Sequence, residues 1–280
     1  MIKNYFFIPA SKSKYIQKSE TLQGIGNRIF DLEDSILNKD VDYSINLLRQ
    51  VKQRDTDWVR IPLEISIFEK FIGRILEMGY KNFVIPKFAG IDELTIFLEK
   101  ILAVNEISKF ILLIENPKAL VELNEILKKY KNCILGFGLG SHDFSLESGI
   151  ENDIDYLRHI RINLIILAKA YEKEAIDIVS MSINNKDEFI KEIIDGFKCG
   201  YRAKFLIHPL QLEFLNSYPF YSYQEVNKYK EMLSYYETNV KGQEALFSYE
   251  SRVYEKMHIN KFKKIIDWGL KFYGTDRQIL

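Results

Sequence analysis

Phe110-Ile111-Leu112-Leu113-Ile114-Glu115-Asn116-Pro117 reads as a strand that runs directly into a helix. The β-branched and aromatic run 110–114 has strand character, and Asn116 followed by Pro117 supplies an N-cap and a first helical residue. The helix then continues over 119–127, and Glu115 falls at the C-terminal end of the strand.

Working outward, comparable runs occur at 5–8, 28–32, 58–63, 82–85, 133–137, 176–183 and 204–207. Between them lie segments of helical periodicity, such as Phe68, Ile72 and Ile75 with Gly79 as a C-terminal stop, or Leu157, Ile160, Leu164 and Leu167. Eight strand–helix alternations predict an α/β fold, a (β/α)₈ TIM barrel, rather than an open doubly wound sheet. After His208-Pro209 the pattern reads as helix only, with Ser222 and Glu225 as a capping box and a second helix near 259–272. The expected organisation is a catalytic barrel over 1–217 and a C-terminal helical extension over 218–280, an oligomerisation or lid segment.

Lysine plus arginine and aspartate plus glutamate both number 39 in the 280 residues, so no global field attracts nucleic acid or an anionic membrane. Cys133 and Cys199 lie far apart without a paired motif, which excludes a disulfide framework and a cysteine zinc site. The apolar start is too short for a signal peptide or a spanning helix. The expectation is a cytoplasmic protein with small-molecule rather than nucleic-acid or membrane partners.

Barrel chemistry sits at the C-terminal ends of the strands. Those ends carry Asp31-Leu32-Glu33-Asp34, Arg60, Pro86-Lys87, Glu115, Gly140-Ser141-His142-Asp143 and His208. Converging carboxylates with few histidines suit a hard cation, and Glu115 and Asp143 would supply the one or two carboxylates Mg²⁺ takes. Each carboxylate alone equally suits a helix cap or a lysine pair. Arg60, in the apolar Val59-Arg60-Ile61, calls for an anionic partner: a substrate carboxylate or enolate, or a structural pair with Glu33 or Asp34. Glycines 136, 138 and 140 are weak as a phosphate loop. His142 and His208 suit an oxygen-preferring ion poorly, and His208 before Pro209 and His159 read as a loop and a helix-surface residue.

These motifs, in order, resemble the citrate lyase β-subunit-like family, the HpcH/HpaI aldolase and malyl-CoA lyase superfamily of phosphoenolpyruvate/pyruvate-type barrels. Phe7-Ile8-Pro9-Ala10-Ser11 is similar to its Val-Pro-Gly-Ser opening and Asp31-Leu32-Glu33-Asp34-Ser35 to its Asp-Leu-Glu-Asp-Ser. Val59-Arg60-Ile61, Ile85-Pro86-Lys87, Ile114-Glu115-Asn116-Pro117, the 138–144 segment and Ile207-His208-Pro209-Leu210-Gln211 extend the match across the barrel. Three positions depart from the pattern: Pro62 replaces an Asn, Asn116 a Thr, and Ser251-Arg252-Val253-Tyr254-Glu255 a Gly-Arg-Met-Ile-Asp segment.

The resemblance implies a metal-dependent carbon–carbon lyase or aldolase acting through an enolate on a small hydroxy or oxo acid, or its CoA thioester. By matched position, Glu115 and Asp143 would ligate Mg²⁺ or another divalent cation such as Mn²⁺. Arg60 would bind substrate and stabilise the enolate, with Lys87 and Asn116 also on the substrate side. Glu33 and Asp34 would orient Arg60 and metal-bound waters. Glu255 would serve as acid or base across a subunit boundary. The resemblance also implies a homotrimer or hexamer, allows partner subunits, and leaves two alternatives: an acyl-CoA thioesterase or condensing enzyme on the same site, or a non-catalytic ligand-binding or scaffold subunit.

Overall fold

A computed structural model describes residues 2–240 and 246–274. The described chain divides into two compact units, residues 2–216 and a second containing 217–240 and 246–274.

In the first unit, β1 (Lys3–Pro9), β2 (Asn27–Asp31), β3 (Asp57–Arg60), β4 (Asn82–Ile85), β5 (Lys109–Ile114), β6 (Ile134–Leu139), β7 (Glu174–Asp177) and β8 (Ala203–Leu206) form a closed barrel in chain order. Every neighbouring pair is parallel, and β8 closes on β1. The outer helices are α1 (Ser13–Thr21), α2 (Val41–Leu48), α3 (Ile65–Glu77), α4 (Ile91–Val104), α5 (Pro117–Lys129), α6 (Ser141–Ser148), α7 (Arg158–Ala170), α8 (Lys186–Cys199) and α9 (Pro209–Ser217). The (β/α)₈ reading of the sequence is what the chain adopts.

Strand pleating decides which side chains fill the barrel. Tyr5, Ile29, Trp58, Val84, Ile111, Leu113, Ile176 and Phe205 form its buried interior, each full burial contributing roughly 1.5–3 kcal/mol. Gly138 completes the fit, because a Cβ there would lie 2.5 Å from the Phe205 ring and 2.6 Å from the Ile176 carbonyl. Asn116 caps α5 as expected, its side chain accepting from the Ala119 N–H at 2.8 Å with Pro117 at the first turn. Gly79, at φ 91°, follows the last turn of α3.

Two strands are shorter than their apolar runs. β3 stops at Arg60 instead of reaching 63, since Pro62 has no N–H to donate. β7 ends at Asp177, short of the expected 183. Beyond it the hydroxyl of Ser180 accepts from the Ser182 N–H, and Asn185 caps α8, so local side-chain bonds displace the ladder.

The C-terminal unit corrects the helix-only expectation. It contains α10 (Tyr223–Tyr235), a hairpin of β9 (Leu246–Tyr249) and β10 (Arg252–Glu255), and α11 (His258–Tyr273). Glu250 and Ser251 both take positive φ, as a two-residue hairpin turn requires. Phe247 stacks on Tyr254 at 5.6 Å and tilts against Tyr236 at 4.9 Å, while Tyr229 and Tyr254 meet Phe262. Several tyrosines of this segment thus pack inside their own unit. The Ser222–Glu225 capping box forms as expected. Among the described residues no helix is long and apolar enough to cross a membrane.

Candidate functional site

The polar residues at the mouth of the barrel converge on Arg60, the last residue of β3. Its guanidinium grips Asp31 with two parallel bonds, Nε to Oδ1 at 2.6 Å and Nη2 to Oδ2 at 2.7 Å. Nη1 reaches Asp34 at 3.0 Å and Glu33 at 3.1 Å, and the guanidinium carbon lies 5.0 Å from the Phe7 ring centre. Asp31 also accepts the backbone N–H groups of Glu33 and Ser35, which folds the acidic loop back over its own strand. Burial opposes the Arg60 charge, yet the three carboxylates hold its pKa above the ordinary range.

Lys87 closes the cluster, with its ammonium 2.7 Å from Glu33 and also paired with Asp34. Burial pushes the Glu33 carboxyl up despite Arg60 and Lys87. The more exposed Asp34 is held below its usual value: burial works against its charge, but the two cations outweigh it. Lys87 adopts a left-handed φ of 47°, a conformation costing roughly 1–2 kcal/mol in a residue with a Cβ. Its N–H donates to Glu115 Oε2 at 2.5 Å.

Glu115 is 4% exposed, and its pKa is pushed up to about 8. Burial is the main cause; Asp143 and Glu33 add to it, while the Lys87 N–H and Arg60 oppose it. Gly140 makes room for this carboxyl, because a Cβ there would fall 2.3 Å from Glu115 Cγ. Asp143 lies in the first turn of α6 and lines the same cavity. Among the described residues neither Glu115 nor Asp143 has a lysine, arginine or histidine ion-pair partner.

The cavity has a volume of about 460 Å³. It is lined by Asp31, Asp34, Arg60, Glu115, His142 and Asp143 and by the apolar Phe7, Leu113, Val179, Met181, Phe205 and Ile207. The strand ends therefore bring together Arg60, Glu115 and Asp143, with Asp34 at the edge and Glu33 and Lys87 behind it. Asn116 is engaged elsewhere: besides capping α5 it donates to the Phe88 carbonyl at 2.8 Å. Glu255 is exposed at the end of β10 in the C-terminal unit. His142 is exposed beside Asn152, His159 is exposed on α7, and His208 accepts the Leu210 N–H.

Asp31 is the site residue that sequence reasoning passed over, since it named Glu33 and Asp34 as partners for Arg60. The available signal was alternation: Asp31 stands two residues beyond the interior Ile29 and so points into the barrel mouth.

The profile of the HpcH/HpaI aldolase/citrate lyase family matches residues 3–209. The chain is 24% identical over 233 residues to citrate lyase subunit beta of Haemophilus influenzae, covering 77% of this chain and 78% of that one. It is 23% identical over 274 residues to (3S)-malyl-CoA thioesterase of Cereibacter sphaeroides, covering 92% and 90%. Its structure is similar to that of protein CitE from Mycobacterium tuberculosis in complex with magnesium, acetoacetate and coenzyme A, with a TM-score of 0.80, 18% identity, and coverage of 95% and 97%. RipC from Yersinia pestis aligns with a TM-score of 0.65 and 22% identity over 77% of this chain and 94% of that one.

Proposed function

The chain belongs to the HpcH/HpaI aldolase/citrate lyase family, and from that premise we propose that its barrel mouth makes or breaks a carbon–carbon bond in a small hydroxy or oxo acid, or in its CoA thioester. The observation that carries this reading is the pairing of two carboxyls without a cationic side-chain partner, Glu115 and Asp143, with Arg60 in one cavity.

The donor set fits a divalent cation. Five carboxyls, Asp31, Glu33, Asp34, Glu115 and Asp143, meet the two cations Arg60 and Lys87, and burial, with Asp143 and Glu33 nearby, pushes the Glu115 carboxyl up. Among the described residues no cluster of three or more His, Cys, Asp or Glu forms a metal cage. Two carboxylates with the remaining positions left to water and substrate suit Mg²⁺ or Mn²⁺. When bound, such an ion supplies Lewis-acid polarisation of the substrate carbonyl.

The chain's own residues do the rest. Arg60 has five N–H donors, three of them in hydrogen bonds to Asp31 and Asp34, so it can offer another to a carboxylate or developing enolate oxygen. Its clamp by Asp31, Glu33 and Asp34 fixes the direction of that donor before substrate arrives. Lys87 holds Glu115 through its backbone and the acidic loop through its ammonium. Asn116 positions the strand-five loop, and through it the substrate side of Glu115. Glu255 is proposed as the acid or base contributed across a subunit boundary in a homotrimer or hexamer; Glu255→Ala should then lower turnover and leave acid binding intact.

The test is calorimetric titration of the metal-free protein with Mg²⁺, with and without oxaloacetate, pyruvate and glyoxylate. Metal-dependent binding of an oxo acid, lost in Glu115→Ala and Asp143→Ala, is expected; activity unchanged in both variants would sink the reading. Thioester hydrolysis is the second reading, favoured by the thioesterase relative that spans 92% of the chain. Product analysis separates them, since cleavage releases an oxo acid and hydrolysis releases free CoA with the acid intact. Failure of the isolated chain to turn over any substrate would favour the scaffold role.

A further inference from the structure

We propose that the acid taken by this cavity carries an alkyl substituent and no second carboxylate, the class represented by branched 2-oxo monocarboxylic acids. The inference rests on the functional reading above and narrows it.

The cavity is divided by chemistry. Its polar groups stand at or just beyond the ends of β2, β3, β5 and β6, and Arg60 is the one lysine or arginine among the described residues that line it. That guanidinium already serves three carboxylates. The arc of the barrel over β7, β8 and β1 is a hydrocarbon wall: Phe7 and Phe205, with ring centres 5.4 Å apart, then Val179, Met181 and Ile207. Phe7 marks the border, since Arg60 lies over its ring on the polar side.

A substrate whose carboxyl end faces Arg60 and the carboxylate pair therefore directs its remaining carbons at this wall. A second carboxylate placed there would give up hydration and find no lysine or arginine, since His142 stands beside Asp143 on the polar arc. An isopropyl group would instead displace water from apolar surface. At about 0.8 kcal/mol for each buried CH₂, two added methyl groups correspond to roughly tenfold tighter binding. The wall thus selects by attraction for alkyl carbon and by the absence of a partner for charge.

The experiment is calorimetric titration of the Mg²⁺-loaded full chain with pyruvate, 3-methyl-2-oxobutanoate and oxaloacetate, repeated on Met181→Lys. Met181 is 61% exposed, so the substitution puts an ammonium on the apolar wall without emptying the core. In the wild type, 3-methyl-2-oxobutanoate is expected to bind about tenfold more tightly than pyruvate, and oxaloacetate more weakly than pyruvate. In Met181→Lys oxaloacetate should overtake 3-methyl-2-oxobutanoate. Wild-type binding of oxaloacetate as tight as that of the branched acid overturns the inference and leaves the functional reading standing. An order unchanged in Met181→Lys overturns the assignment of this wall. Binding of none of the three acids removes the functional reading and the inference together.

Discussion

Asp31 and Arg60 stand opposite each other in register on β2 and β3, joined by two bonds at the mouth of the barrel. Three residues earlier on the same strands Arg28 and Asp57 form a second such pair with the charges exchanged. An odd offset along a strand reverses the face, so Arg28–Asp57 lies outside the barrel wall and Asp31–Arg60 inside its mouth. Two chemically equal pairs are thereby assigned to different work: one fastens the strands, the other shapes the site.

That division yields a paired prediction. Asp31→Asn and Asp57→Asn each leave a buried guanidinium short of a carboxylate, and each should lower stability by about 3–5 kcal/mol in urea unfolding. Under conditions where both remain folded, only Asp31→Asn should weaken oxo-acid binding, because only Arg60 lines the cavity. Equal losses of binding in the two variants would refute the division.

Glu115 makes stability pH-dependent in an unusual direction. Its pKa is about 8 in the folded chain against an ordinary 4.5, so the folded state keeps a proton that the unfolded chain releases. The resulting stabilisation is complete below the ordinary value and is lost as pH rises through about 8, roughly 5 kcal/mol in all. Glu115→Gln removes this dependence, so the stability difference between wild type and variant should change steadily from about pH 5 to about pH 8 and then level off. Added Mg²⁺ should offset the loss at high pH in wild type alone.

Gly140→Ala tests how closely the chain is built around Glu115. The new Cβ would lie 2.3 Å from its Cγ and 2.6 Å from Oε1, so the carboxyl must move. Overpacking of this kind costs about 1–3 kcal/mol, which a thermal unfolding scan reads. Divalent-cation affinity should fall by a larger factor than stability alone explains. Undiminished Mg²⁺ binding in a folded Gly140→Ala would remove Glu115 from the proposed ligand pair.

What was legible in the sequence was local. Asn116-Pro117 and Ser222 with Glu225 mark helix starts through bonds spanning three residues, and eight strand runs followed by helical segments suffice for the barrel. Contacts set by register or by backbone conformation were not legible. Arg60 found Asp31 through strand pairing, and Glu115 is held by Lys87 through a left-handed φ that no residue type announces. The β9–β10 hairpin was hidden because its turn, Glu250-Ser251, lacks the glycine or asparagine that favours positive φ.

Gln211 offers the last test, since its buried side chain joins two loops that carry the apolar wall. Its Nε2 donates to the carbonyls of Ser180 at 2.9 Å and Ser182 at 3.2 Å, and its Oε1 accepts the Ile207 N–H at 3.0 Å. Val179 and Met181 flank Ser180, so one amide sets the spacing between them and Ile207. Gln211→Leu strands these backbone groups and should cost about 1–3 kcal/mol. Hydrogen exchange should quicken at residue 207, and at 179–182 through loss of the tether. Affinity for a branched oxo acid should fall while that for pyruvate, held at the polar side, changes little. If both affinities fall together, Gln211 supports the barrel mouth as a whole rather than its apolar wall.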